Sequence, residues 1–177
     1  MFCIENFSGL LLEAPLVLLI PLLSAILLLA VTLQQIKDNE MYPEQIVAPM
    51  KAELTSHGFQ ELLSPADVDQ TLKQEGTTLL VINSVCGCSA GTARPGVVMA
   101  IQNAGKKPDR LTTSFAGFDI DAVKQARSYL LPYPPSSPSI VLLKDGKVVH
   151  MIERHNIEGR PAQMIAANLM QAFETYC

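Results

Sequence analysis

Two cysteines one residue apart, Cys86 and Cys88, stand in the run Ser84-Val85-Cys86-Gly87-Cys88-Ser89. The chain has only four cysteines, the others being Cys3 and Cys177. That is too few for a disulfide-stapled scaffold, and a close pair in such a chain points to redox or metal chemistry. Upstream, TTLLVIN at 77–83 is a continuous apolar run of the kind buried on both faces of a sheet. Downstream, 89–103 reads as a helix despite Gly91, Pro95 and Gly96. The pair therefore falls where a buried strand meets the first turn of a helix. Unpaired N–H groups and the positive end of the helix dipole favour a thiolate there, and the thiolate is the nucleophile of disulfide exchange.

That placement gives the two sulfurs different expected roles. Cys86, farther from the helix, is the exposed attacker; Cys88, inside the first turn, is the resolving thiol; Gly87 lets the chain bend between them. A Cys-x-Cys disulfide closes a smaller ring than Cys-x-x-Cys, and strained disulfides are the more oxidising ones. Such a couple suits isomerisation, or removal of a mixed disulfide, better than strong reduction. Other readings of the pair are buried structural cysteines and a metal-binding module without turnover. Zinc asks for about four ligands, and no second Cys/His cluster supplies them; copper(I) could use two thiolates. No cofactor is implied.

The surrounding pattern shows what must hold the pair in place. Ile46, Val47, Met50 and Leu54 recur at helical spacing in 42–57, which Gly58 ends; 59–63 is a short strand candidate. Ser64-Pro65 supplies an N-cap and a first-turn proline for a helix with Val68 and Leu72 on its buried face. After the cysteines, 111–116 reads as a strand and 119–130 as a helix with Ile120, Val123 and Leu130 inward. Strands 139–143 and 147–152 form a hairpin across Asp145-Gly146, a strong turn signal. Pro161 opens a last helix with Ile165, Leu169, Ala172, Phe173 and Tyr176 on one stripe. After the leading helix the order is βαβαβαββα: strands separated by helices pair in parallel, and the terminal hairpin adds an antiparallel edge.

This order resembles the thioredoxin-like α/β fold, a mixed central sheet flanked by helices. Folds of that kind place a cis-proline before the strand that faces the cysteines, and Pro138 directly precedes 139–143.

Several separate motifs then resemble one family, the bacilliredoxins, thioredoxin-like disulfide isomerases with a Cys-Gly-Cys motif. They are Asn83-Ser84-Val85-Cys86-Gly87-Cys88, Ala93-Arg94-Pro95, Phe115-Ala116-Gly117, Pro135-Ser136-Ser137-Pro138-Ser139, Arg154-His155-Asn156-Ile157-Glu158-Gly159 and Cys177, spread over 41–177. The resemblance implies removal of bacillithiol, a low-molecular-weight thiol, from protein mixed disulfides. Cys86 would attack and accept the bacillithiol, and Cys88 or a second thiol would release it; isomerase activity is implied as well. The partners would be bacillithiolated or disulfide-bonded proteins and bacillithiol or a similar thiol, in the cytoplasm. Arg94 would pair with the malate carboxylates of bacillithiol or support the Cys86 thiolate, unless it is an ordinary surface residue. His155 reads as a structural hydrogen-bonding group before a proton carrier. Cys177, in step with the last helix's stripe, reads as an apolar filler before a third redox thiol.

Residues 1–40 depart from this pattern. Residues 14–36 carry no charge and are rich in Leu, Ile, Val and Ala, long enough to span a bilayer. The segment reads as a membrane anchor, as a mis-assigned start ahead of Met41, or as a cleaved leader; a basic n-region is missing. An outward-facing anchored isomerase in an oxidising compartment is the corresponding alternative function, and membrane contact is expected only if the segment is genuine. The chain is 49% hydrophobic, 17% charged and carries −4, of which residues 41–177 hold only −1. A near-neutral domain without a basic face gives no case for nucleic acid.

Overall fold

The strand leading to the cysteines is the centre of the molecule. In a computed structural model, which describes residues 41–177 together with Ile26, TTLLVIN forms β2 (Thr77–Asn83) and every residue of it is buried. Ahead of it lie α1 (Glu44–Thr55), β1 (Gln60–Glu61) and α2 (Pro65–Leu72). After it come a π-helical turn (Ser89–Ala93), α3 (Arg94–Asn103), β3 (Arg110–Phe115) and α4 (Ile120–Ser128). The chain closes with β4 (Ser139–Lys144), β5 (Lys147–Ile152), the single turn α5 (Arg154–Ile157) and α6 (Ala162–Tyr176).

The sheet order is β1-β3-β2-β4-β5. β2 and β1 run parallel to β3, whereas β2–β4 and β4–β5 are antiparallel. This is the thioredoxin-like order expected from the pattern. Alternation along β2 divides the core. Leu79 and Val81 face Val97, Ala100, Ile165, Leu169 and Phe173 of α3 and α6. Leu80 and Ile82 face Val68, Leu72, Val123 and Ala126 of α2 and α4. Each such aliphatic side chain contributes about 1.5–3 kcal/mol on full burial, so the strand is anchored on both faces and its C-terminal end is a rigid platform. Gly96 lets α6 approach α3 closely: a Cβ there would lie 2.8 Å from Ile165 Cβ and 2.9 Å from the Ala162 carbonyl.

Local expectations held where a specific group satisfies the backbone. Ser64 Oγ accepts from the Asp67 N–H, while the Asp67 carboxylate accepts from the Ser64 N–H at 2.9 Å, a reciprocal cap. Asp145 and Gly146 both have positive φ in the β4–β5 turn, and Asp145 Oδ1 accepts from the Gly76 N–H. Departures lie at the edges. The expected strand 59–63 shrinks to Gln60–Glu61; beyond it Leu62 still donates to the Thr113 carbonyl of β3, but its own carbonyl accepts from the Ser114 side chain rather than from a backbone N–H. Ile46 is 49% exposed, so α1 buries a narrower stripe (Val47 and Leu54) than its apolar content suggested.

Among the described residues, no helix is long and apolar enough to cross a membrane. The anchor and alternative-start readings of 1–40 lie outside the described residues.

Candidate active site

β2 ends at Asn83, and after three intervening residues the chain enters a helical turn at Gly87 and Cys88. Cys86 and Cys88 are joined as a disulfide with their Cα atoms 5.4 Å apart. Both are half-buried, and Gly87 between them is exposed. Their surroundings differ. Cys86 Sγ accepts from Ser84 Oγ–H at 3.3 Å and from the Ser89 N–H at 3.3 Å. Its carbonyl also caps the turn, accepting from the N–H groups of Ser89 and Ala90. Cys88 packs instead against the α3/α6 side of the core. Two donors aimed at a sulfur favour its anionic form over the thiol.

The turn after Cys88 is wider than an α-helix: the Arg94 N–H reaches back five residues to the Ser89 carbonyl. Pro95 explains this. It has no N–H for the Gly91 carbonyl, and in a regular α-helix its ring would press on that oxygen. One π turn relieves both problems, as π turns inside α-helices often do near functional sites. It also delivers Arg94 to the interior, where the side chain is only 2% exposed.

All three nitrogens of the Arg94 guanidinium are hydrogen-bonded. Nη1 donates to Asn83 Oδ1, to the Ser84 carbonyl and to Ser89 Oγ, each at 3.1 Å. Nε and Nη2 make a two-point pair with the Glu53 carboxylate at 2.7 and 3.1 Å. Asn83 Oδ1 also accepts from the Ser84 N–H and Ser89 Oγ–H, both at 2.8 Å. Arg94 thus holds the two residues that touch Cys86 Sγ. It is a buried residue rather than a surface one.

The remaining expected residues fall as follows. The Ser137–Pro138 bond is cis and Pro138 leads directly into β4; Leu131–Pro132, which the sequence did not flag, is cis as well. Gly87 has an ordinary φ, and a Cβ on it would meet nothing within 4 Å, so neither bend nor space requires glycine there. His155 is exposed on α5 with no side-chain hydrogen bond among the described residues, so the expected structural bond is missing. Cys177 is a free, exposed thiol beyond the end of α6, not a core filler; full burial along the stripe ends at Phe173, and Tyr176 packs only partly against the core. Its neighbour is Thr77, at the start of β2. A seven-residue strand separates that end from Asn83, a span of about 20 Å at about 3.3 Å per residue. Cys177 is therefore out of reach of Cys86 within one chain.

Reading the sequence alone missed Glu53, Asn83, Ser84 and Ser89. Asn83 carried a signal: a polar residue closing an otherwise apolar buried strand must find partners. Glu53, thirty-odd positions upstream on a helix, carried none. Among the described residues, no group of three or more His, Cys, Asp or Glu side chains is gathered as a metal would need.

A disulfide-forming cysteine pair at the head of a helix, on a sheet of this order, defines a thioredoxin-like thiol–disulfide protein. A family profile described as disulphide isomerase matches residues 42–177. The chain is 58% identical over 134 residues to a bacilliredoxin of Cytophaga hutchinsonii, covering 76% of this chain and 98% of that one. It is 51% identical over 138 residues to a bacilliredoxin of Salinibacter ruber, covering 77% and 81% respectively. Among solved structures, oxidised mitochondrial thioredoxin 3 of Saccharomyces cerevisiae aligns at a TM-score of 0.46 and 17% identity, over 70% of this chain and 98% of that one. The chain belongs to the bacilliredoxin (disulphide isomerase) family and is a thiol–disulfide oxidoreductase.

Proposed function

We propose that this protein removes bacillithiol, or a similar low-molecular-weight thiol, from protein mixed disulfides in the cytoplasm, with Cys86 as attacker and Cys88 as resolving thiol. The supporting observation is the asymmetry of the pair: both donors point at Cys86 Sγ, while Cys88 packs against the core. The Cys86 thiolate attacks the bacillithiol sulfur of the mixed disulfide. The Cys86–S bond forms, the protein–S bond breaks, and the substrate protein leaves as a thiolate that takes up a proton. Cys88, deprotonated, then attacks Cys86 Sγ and expels bacillithiol, leaving the Cys86–Cys88 disulfide. Two electrons from a thiol reductant return the pair to dithiol form. The name bacilliredoxin carried by the relatives supports the thiol named here. Attack on a protein disulfide by the same Cys86 would make the first step of an isomerase, in keeping with the family's description.

The test is intact-mass analysis after incubation with a bacillithiolated protein. Cys88→Ser is expected to accumulate one bacillithiol on Cys86, and Cys86→Ser to accumulate none and turn over nothing. A stable adduct on Cys88 in the Cys86→Ser variant, with none on Cys86 in the other, would reverse the roles.

A further inference from the structure

We propose that Glu53 and Arg94 form a positioning pair that sets the acidity of Cys86: Arg94 lowers it through Ser84 and Ser89, and Glu53 limits how far it falls. The inference rests on Cys86 being the attacking thiol and adds what tunes it.

A buried guanidinium is charged at every working pH, and a buried charge needs partners to be tolerated. Arg94 has them on two sides with different consequences. On one side Nη1 grips the Ser84 carbonyl and Ser89 Oγ. Those same two residues put a hydroxyl and a backbone N–H on Cys86 Sγ, so the cation orients the donors the thiolate uses. On the other side the Glu53 carboxylate takes two of its N–H groups. The Arg94 side chain is 2% exposed but that of Glu53 is 48% exposed. Water therefore screens the carboxylate far more than the guanidinium, and the field left at the sulfur is positive. An opposite charge favours the ionised form of a group, so removing either partner moves the thiol in a defined direction.

Other charged or titratable groups on neighbouring elements do not duplicate this pair. Lys51 on α1 is 2.8 Å from both the Glu61 and Asp119 carboxylates, which occupy its charge. The Asp119 carboxylate also accepts from the Phe115 N–H, beside the end of β2, so that carboxylate and Lys51 offset each other there. Beyond β5, Arg154 pairs with Glu158 at the surface, and Glu153 and His155 lie in or beside the same exposed turn. Tyr133, in the loop before Pro138, is 40% exposed. Cys88 is coupled to Cys86 directly and is held constant by comparing variants in one background.

A guanidinium that only braced the fold would change stability when removed, and both partners' variants would act alike. The proposed role predicts opposite signs. The experiment titrates the reduced full-length protein by thiolate ultraviolet absorbance, and maps by mass spectrometry which cysteine is first alkylated at each pH. Arg94→Met is expected to raise the Cys86 pKa by about one pH unit or more, Arg94→Lys to recover part of the shift, and Glu53→Gln to lower the pKa below that of the unaltered protein. Should Arg94→Met fail to fold, Glu53→Gln decides alone, because it removes an exposed charge and keeps the hydrogen-bonding shape. A Cys86 titration that Glu53→Gln leaves in place, or moves upward, overturns the proposal. First alkylation at Cys88 in the unaltered protein would instead overturn the assignment of the attacker, a separate and distinguishable failure.

Discussion

A cysteine lies near each end of β2, and the surroundings of the two differ. At the C-terminal end, Cys86 receives two hydrogen-bond donors, with a buried arginine cation behind them. At the N-terminal end, beside Thr77, partial desolvation of its sulfur pushes the Cys177 thiol above its usual value although the residue is exposed; the Asp109 carboxylate adds to this, while Thr77, Lys144 and Lys106 oppose it. The Asp109 carboxylate is itself held low by hydrogen bonds from Thr77, so it stays negative beside that thiol. On the proposed roles, the reactivity of a cysteine follows from the groups aimed at its sulfur. The two ends of one sheet thus surround their nearest thiols with different backbone and side-chain partners.

The largest expected effect separates the two ends outright. Replacing Cys86 by serine should abolish turnover of a protein mixed disulfide, whereas Cys177→Ala should leave the rate within about twofold, since about 20 Å of strand lies between them. A steady-state assay with both variants checks this. A stalled Cys177→Ala enzyme would break the comparison and place Cys177 in the cycle, through a second molecule.

Next in size is the reduction potential of the Cys86–Cys88 couple. A stabilised Cys86 thiolate lowers the energy of the reduced form, and the small ring set by one intervening residue raises that of the oxidised form; both move the couple toward an oxidant. About 30 mV corresponds to about 1.4 kcal/mol for two electrons, so a few kcal/mol places the couple roughly 50–100 mV above the thioredoxin value of about −270 mV. Equilibration against a thiol–disulfide buffer measures it. A value at or below that of thioredoxin would show that the donors on Cys86 do not activate it.

How much of this was legible beforehand divides along the same line. The order of elements, the central strand and the Ser64 and Asp145-Gly146 turns follow from local patterns, because periodicity and capping act over a few residues. The position of Cys86 and Cys88 at the strand-to-helix junction follows for the same reason. The network behind Cys86 does not. Arg94 sits in a segment whose helical phase depends on a π turn that shifts every later side chain, so a regular helical wheel misplaces it. Glu53 arrives from another element, and no local rule pairs residues 41 positions apart. Cys177 was misjudged because stripe periodicity does not say where a helix stops being covered.

Alkylation rates compare the two ends at smaller scale. At neutral pH the reduced protein should react with iodoacetamide at Cys86 roughly 30-fold or more faster than at Cys177, because only the thiolate reacts and Cys177 is mostly protonated there. The sign of the pH dependence follows from the raised Cys177 value: the ratio should be largest at and below neutrality and close as pH rises through the Cys177 ionisation. A ratio near one at neutral pH would mean that the surroundings of Cys86 do not distinguish it.

The smallest expected effect concerns Gly87, where the comparison passes from the sulfurs to the surface between them. Its φ is ordinary, a Cβ would meet nothing within 4 Å, and the residue is exposed in the first helical turn. Alanine there should cost no stability and add up to about 1 kcal/mol, since glycine is the weaker helix former. The thiolate chemistry should persist as well, because neither donor to Cys86 Sγ comes from Gly87. What the methyl group changes is access: it covers bare backbone between the two sulfurs, where a protein substrate must approach more closely than a small disulfide. Gly87→Ala is therefore expected to lower kcat/KM for a bacillithiolated protein a few-fold while leaving turnover of a low-molecular-weight disulfide unchanged. Thermal unfolding and the two rate measurements separate the cases. A loss of more than about 1 kcal/mol of stability would make the glycine structural, and equal losses on both substrates would place its effect on Cys86 itself.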